Sequence, residues 1–278
     1  FIIRMYAEPQ LSHIGMKSYR IYLKMENIPQ KWENEFEAEY SNRPNVQWFA
    51  VTQGEWNYII RFMLPSENEF KNEVTQLMTK YGLYVKSKDV TITDSQSYFP
   101  ITYFSEKPRD GYTFDKKEKS GEYDTIDWQI LRCLQDDARM PTTTIATAIG
   151  TTPDTVQYRL KNMIKNGAIA RFTCWFNRNL IGYNYYKAVI WLQYVSQSEE
   201  KKFLDYCANH PNIVYLNRVI GSWDVEIDID AQNPIELQEI MKTLQHKFSP
   251  IIRDYQTLVI LKDYLPNPFR GYKGLDSL

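Results

Sequence analysis

The sequence predicts an α+β chain in which a winged helix-turn-helix stands between two ferredoxin-like βαββαβ domains. Two observations predict it. The chain repeats itself, and the stretch between the copies carries three short amphipathic helices, a glycine turn and a closing strand. The repeat is read first, because a missed repeat misassigns the whole fold.

Asn42-Arg43-Pro44-Asn45 returns as Asn209-His210-Pro211-Asn212, an offset of 167 residues. At the same offset Gly54-x-Trp56 returns as Gly221-x-Trp223, Ile14-Gly15 as Ile181-Gly182, Tyr19 as Tyr186, Phe36 as Phe203 and Leu77 as Leu244. Tyr98-Phe99-Pro100 resembles Tyr264-Leu265-Pro266 after a one-residue slip.

The second copy shows the element order. Tyr185–Tyr194 is β-branched and aromatic and reads as a strand. Ser198–Asn209 reads as a helix with Phe203, Tyr206 and Cys207 on one stripe. Asn212–Ile220 and Trp223–Ile229 read as strands joined at Gly221-Ser222. Asn233-Pro234 opens a second helix carrying Leu237, Met241, Leu244 and Phe248, and Asp254–Leu261 closes as a strand. The first copy repeats this order over residues 18–95. Large apolar residues stand at both strand parities, as in Val189-Ile190-Trp191-Leu192. Both sheet faces are therefore expected to be buried, which calls for a partner sheet. The two copies are expected to supply it for each other within one chain, or the same contact forms between chains.

The expected divisions are residues 1–100 for the first domain with a preceding wing and hinge, 101–122 for a linker, 123–176 for the winged helix-turn-helix and 177–278 for the second domain. The linker reading rests on Glu106-Lys107-Pro108-Arg109-Asp110-Gly111 and Lys116-Lys117-Glu118-Lys119. Ile126, Ile130, Leu131 and Leu134 give a first helix. Ile145, Ala146 and Ile149 give a second, with a threonine run able to cap it, and Gly150 breaks it. The third starts at Thr152-Pro153-Asp154, with Thr152 as N-cap and Pro153 in the first turn, and ends at Asn166 before Gly167. Its buried stripe is read as Val156, Leu160, Met163 and Ile164, and Ile169–Phe176 follows as the wing strand.

A third helix in this setting is a recognition helix, which enters the major groove of double-stranded DNA by its N-terminal part. The candidate DNA-binding residues are Thr152, Asp154, Thr155, Gln157, Tyr158, Arg159, Lys161, Lys165 and Arg171. Gln157 can make a bidentate contact to adenine, and Thr155 can touch a base or a phosphate. Arg159, Lys161 and Lys165 can neutralise phosphates, and Arg171 is a candidate from the wing. Asp154 can instead serve only the helix start, and Arg159 can instead bridge the helix to the wing.

Net charge is −1, so the chain is not coated with positive charge for nucleic acid. From Tyr123 to Arg171 six Lys/Arg stand against five Asp/Glu, so any phosphate attraction is local. Cys133, Cys174 and Cys207 have no CxxC spacing and the three histidines are scattered. That argues against a disulfide framework or zinc site and fits a reducing, cytoplasmic setting, with no cofactor expected. No apolar run reaches the ~18–20 residues needed to span a bilayer.

The order of these pieces resembles the Lrp/AsnC family of transcription regulators. The motif Asp127-x-x-Ile130-Leu131-x-x-Leu134-x-x-Asp137-x-Arg139 resembles that family's first helix and its exit. The segment Thr152-Pro153-x-x-Val156-x-x-Arg159-Leu160-x-x-Met163-x-x-x-Gly167-x-Ile169 resembles its recognition helix and turn into the wing. Asn179-Leu180-Ile181-Gly182-Tyr183 resembles the hinge into its effector (RAM-type) domain, and Gly221-x-Trp223-Asp224 that domain's hairpin motif. The resemblance covers residues 124–262 and, through the repeat, 2–100. It implies a regulator that forms dimers or higher rings through its effector domains and senses a small molecule such as an amino acid. By the same resemblance, Gly221, Trp223 and Asp224 are the ligand-binding candidates. Asp224 would pair with a ligand ammonium, and the first copy carries Asn57 in its place. The tandem layout departs from the family. Residues 1–17 match 168–184, so a first winged helix is expected to precede residue 1.

Two other functions share this layout. Sirohaem decarboxylases resemble the same family and use His and Arg around the hinge and sheet. Here the second hinge reads Trp175-Phe176-Asn177-Arg178-Asn179, and His13 stands alone in the first. The third reading is a ligand-sensing scaffold whose helix-turn-helix no longer binds DNA.

Overall fold

Strands buried on both faces organise both copies of the repeat. The computed structural model describes residues 1–99, 101, 112–114, 121–193 and 196–269. In the first copy β2 (Lys17–Met25), α1 (Gln30–Tyr40), β3 (Val46–Gln53), β4 (Tyr58–Leu64), α2 (Glu67–Tyr81) and β5 (Val85–Tyr98) follow one another. In the second, β8 (Asn184–Leu192), α6 (Gln197–Asn209), β9 (Ile213–Gly221), β10 (Val225–Ala231), α7 (Pro234–Lys247) and β11 (Ile252–Tyr264) do the same. Both are βαββαβ units, with strand orders β5-β2-β4-β3 and β11-β8-β10-β9.

The two sheets do more than face each other. β5 pairs with β9, and β11 pairs with β3, so all eight strands close into one barrel. Each strand then serves two cores. In β8, Tyr186, Ala188 and Ile190 face the helices of their own copy. Tyr185 and Val189 face inward, where they meet Tyr22, Ala50 and Ile59 of the first copy. Apolar residues at both parities therefore do signal a partner sheet, and the partner is the other half of the same chain.

The repeated Gly-x-Trp motif is explained by this closure. A Cβ on Gly221 would collide with the Val90 carbonyl oxygen at the β5–β9 seam. A Cβ on Gly54 would lie 3.2 Å from the Thr257 carbonyl oxygen at the β11–β3 seam. The two seams are copies of one another; Gly221 leaves no room for a side chain, and Gly54 takes φ +141°, where side chains are strained. Trp56 and Trp223 both turn into the barrel and pack on Tyr22, with ring centroids 6.2 and 4.6 Å away.

Between the copies, α3 (Thr125–Asp136), α4 (Thr142–Ile149), α5 (Pro153–Lys165) and β7 (Ile169–Phe176) form the winged helix-turn-helix. The opening strand β1 (Ile2–Pro9) pairs antiparallel with β7, its own repeat partner, as a two-stranded ribbon. Most of the charged segment read as a linker lies outside the described residues, including Glu106 to Gly111 and Lys116 to Lys119. Within it, β6 (Tyr112–Phe114) pairs with Gln96–Tyr98. After β11 the chain returns to the helix-turn-helix. Phe269 is fully buried in its core beside Trp128, and the Asn267 Nδ2 donates to the Arg132 carbonyl at 2.9 Å. Among the described residues no helix is long and apolar enough to cross a membrane.

Candidate nucleic-acid interface

α3 begins with a capping box in which the Asp124 carboxylate accepts from the N–H groups of Ile126 and Asp127. Ile130, Leu131 and Leu134 fill the core against Ile145 and Ala146 of α4. The threonine run does not cap α4: Pro141 holds the N-cap place, and Thr142 to Thr144 lie inside the helix. Gly150 ends α4 at φ +69°, in the left-handed region that favours glycine. The turn delivers Thr152, whose Oγ1 accepts from the Thr155 N–H at 3.2 Å and starts α5.

Val156 and Met163 bury the inner side of α5, and Leu160 is half-buried. Ile164, expected in that stripe, is 46% exposed. It lies eight residues past Val156, which turns it about 80° off the stripe at ~100° per residue.

The outer side presents Asp154, Gln157, Tyr158, Lys161 and Lys165, all exposed, with Thr152 exposed at the start and Thr155 half-buried. Two candidate arginines are engaged elsewhere. Arg159 bonds Asp124 at 2.9 Å and the buried Asp127 at 3.2 Å, so it ties α5 to the start of α3 and not to the wing. Burial pushes the Asp127 carboxyl above its ordinary value, and Arg159 opposes that. Arg159→Ala is expected to destabilise the chain by about 1–3 kcal/mol, because a buried carboxylate loses its partner. Denaturant unfolding measures this. A change within about 0.5 kcal/mol, as at an ordinary surface site, would contradict the bridging role. Arg171 turns inward, pairs with Glu8 on β1 and stacks over Tyr98. It is not on the exposed face of α5.

The residues of the hairpin motif do not converge on one opening. Trp223 is 3% exposed and donates its indole N–H to Glu226 at 3.2 Å. Gly221 is pressed against the seam. Asp224 is exposed, but its Oδ2 accepts from the Leu192 N–H at 2.7 Å. The repeat-related Asn57 Oδ1 accepts from the Met25 N–H at 2.8 Å, so aspartate and asparagine hold the same strand end in the two copies.

One feature of the barrel was not legible in the sequence, a polar centre. Glu226 from β10 is fully buried and accepts from Thr91 of the first copy at 3.2 Å. Arg20 and Lys187 stand 3.4 Å from its other oxygen. Lys187 also pairs with Asp228, and Arg178 with Asp230. Arg20, Arg178, Lys187 and Asp228 line a cavity of about 80 Å³, room for a few waters, whose described lining contains no histidine. The sequence pattern hides these charges, because Glu226, Asp228 and Asp230 alternate with apolar residues along β10, as the polar residues of a strand with one face in water would.

Residues 124–164 match the AsnC-type helix-turn-helix domain. An uncharacterised HTH-type transcriptional regulator of Pyrococcus furiosus is 30% identical over 118 residues, covering 42% of this chain and 78% of that protein. The HTH-type transcriptional regulator FL11 of Pyrococcus horikoshii is 24% identical over 141 residues, covering 51% of this chain and 91% of the relative. Among solved structures, the sirohaem decarboxylase NirDL superposes on the whole of this chain and 84% of its own, with a TM-score of 0.64 and 13% identity. At that identity the likeness is one of fold.

Proposed function

Since this chain belongs to the Lrp/AsnC family of transcription regulators, we propose that it is a sequence-specific DNA-binding regulator whose α5 reads the major groove of a duplex. The observation that carries this reading is the exposed outer side of α5. Gln157 there offers a bidentate edge for a base, and Thr152 and Asp154 stand at the helix start. Lys161 and Lys165 supply the phosphate contacts. The bonds of Arg159 and the buried Val156 fix the angle at which that side is shown.

The same reading has the chain respond in the cytoplasm to a small molecule such as an amino acid and assemble into homo-oligomers through its effector halves. At the hairpin motif, Asp224 is the side chain that would meet such a molecule, since Trp223 is packed inside and Gly221 has no side chain to offer. Because two copies already pair within one chain, further assembly would use the outer helical faces. Light scattering is expected to give a mass above one chain.

Selection of the intact chain against a pool of random duplexes tests the main reading. Enrichment of one sequence motif is the expected result, and a pool that stays random would overturn it. The decarboxylase reading shares the barrel but meets a small central cavity whose described lining holds no histidine. It would be favoured instead if the purified chain carried tetrapyrrole absorbance.

A further inference from the structure

The buried cations of the barrel come with carboxylates, except one. Arg20 has Glu226, Lys187 has Glu226 and Asp228, Arg171 has Glu8, and Arg178 has Asp230. Arg61 on β4 is 9% exposed, and its guanidinium meets only neutral oxygens: Ser18 Oγ at 2.9 Å and Gln96 Oε1 at 2.8 Å. No carboxylate among the described residues lies within ion-pair distance of it. Its cross-strand neighbour is Arg20, a like charge. Burial, and then Arg20, bring the Arg61 guanidinium down to about 10 from an ordinary 12.5. The repeat sharpens the contrast, because the position 167 residues on is Asp228, which Lys187 neutralises. A buried charge without a counterion is costly, and a site that keeps one has a use for it.

Arg61 is not sealed off. It forms the inner wall of a cleft of about 470 Å³ that opens beside the first hinge. Pro9, Leu11, Met16, Ile92 and Ile220 give the cleft an apolar lining. Gln47 lies beside Arg61 on the wall, and its Oε1 is buried without a hydrogen-bond partner. Its carboxamide can turn to present N–H groups instead. Three acids also line the cleft: Glu8, held by Arg171, Glu67, held by Lys17, and Asp94. The mirror-related cleft beside the second hinge, about 340 Å³, has Arg178 instead, whose charge is already met by Asp230 at 2.6 Å.

We infer that the cleft beside the first hinge binds a small monocarboxylate with an apolar body, the carboxylate seated on Arg61 and Gln47 and the body on Leu11, Met16 and Ile92. The planar guanidinium fork matches a carboxylate, and with Lys17 already paired to Glu67 the one remaining cation, Arg61, suits a monoanion better than a phosphate dianion. The ligand's charge supplies what Arg61 lacks. The cleft wall at Gln10 is hydrogen-bonded to the residues that follow α5, through Gln10 N to Ala168 O at 2.8 Å. An occupant is thus placed to bear on the recognition helix. That consequence rests on the duplex-reading proposal, whereas the binding does not, and its test contains no DNA.

Calorimetric titration of the full chain with 4-methylpentanoate tests the site, with 4-methylpentan-1-ol as the uncharged analogue of the same shape. Saturable binding of the acid is expected, with the alcohol at least about tenfold weaker. Arg61→Gln is expected to weaken the acid by about tenfold or more while leaving the melting temperature unchanged or raised, since it removes an uncompensated buried charge. Ile220→Glu, at an exposed position on the cleft rim, keeps Arg61 and is expected to weaken the acid several-fold by repulsion. No saturable binding, equal binding of acid and alcohol, or unchanged affinity in Arg61→Gln would overturn the inference. Should Arg61→Gln fail to fold, unchanged affinity in Ile220→Glu would overturn it.

Discussion

Trp223→Ala is expected to lower the unfolding free energy by about 3–5 kcal/mol, the range for truncating a fully packed aromatic side chain. The ring is 3% exposed and sits edge-on to Tyr22 of the other copy at 4.6 Å and to Trp191 at 6.0 Å. Its removal opens a void where the two copies meet, where neighbouring strands are held by two seams and relax little. The indole N–H also gives Glu226 one of its hydrogen bonds. Trp56, the repeat partner, is 5% exposed and its N–H has no partner among the described residues, so Trp56→Ala is expected to cost less. Urea unfolding of both variants measures the difference. A loss below about 1 kcal/mol for Trp223→Ala would mean that the ring is not part of the core between the copies.

Glu226→Gln is the second large effect, also about 3–5 kcal/mol, because it breaks a buried ion cluster by removing one partner. Lys187 keeps Asp228, but Arg20 loses its carboxylate. Since Trp223 and Glu226 touch, the double variant is expected to cost less than the sum of the two. The cluster also sets a pH dependence. Burial would push the Glu226 carboxyl up, but Arg20 and Lys187 outweigh it and hold it at about 2, against an ordinary 4.5. The folded value lies below the unfolded one, so the unfolded chain binds the proton first as the pH falls. This stabilisation is complete above about pH 4.5 and is lost as the pH falls toward 2. Glu226→Gln removes that part of the acid slope. An identical slope in both proteins would show that the carboxylate is not held by the cluster.

Local features were the legible ones. The period of 3.6, the Thr152 cap and Gly167 placed α5 to within a residue, and the offset repeat placed both βαββαβ units. These signals need only neighbouring residues. What escaped depends on contacts between distant parts of the chain. Closure at β5–β9 and β11–β3 is set by the register of strands more than a hundred residues apart, which no alternation encodes. Arg171 looked like a wing cation because its partner Glu8 is 163 residues away. Phe269 gave no sign that it would return to the helix-turn-helix. By resemblance the Gly-x-Trp-Asp motif reads as a ligand loop. The matched bonds of Asn57 and Asp224 hold the ends of β2 and β8, a contact between distant residues that the motif alone does not reveal. The charges inside the barrel are hidden for the same reason, since Glu226, Asp228 and Asp230 on one face of β10 read as a solvent-facing set until the facing sheet is known.

The most direct test of duplex reading by α5 is fluorescence anisotropy of the intact chain on its selected duplex and on single-base variants, across a salt series. Gln157→Ala is expected to lose about 10- to 100-fold in affinity for the selected sequence and to relax discrimination at one base pair. Lys161→Ala is expected to weaken every duplex alike and to lower the salt slope by about one. If both variants bind each duplex as the unaltered chain does, with the same salt slope, the outer side of α5 does not meet DNA.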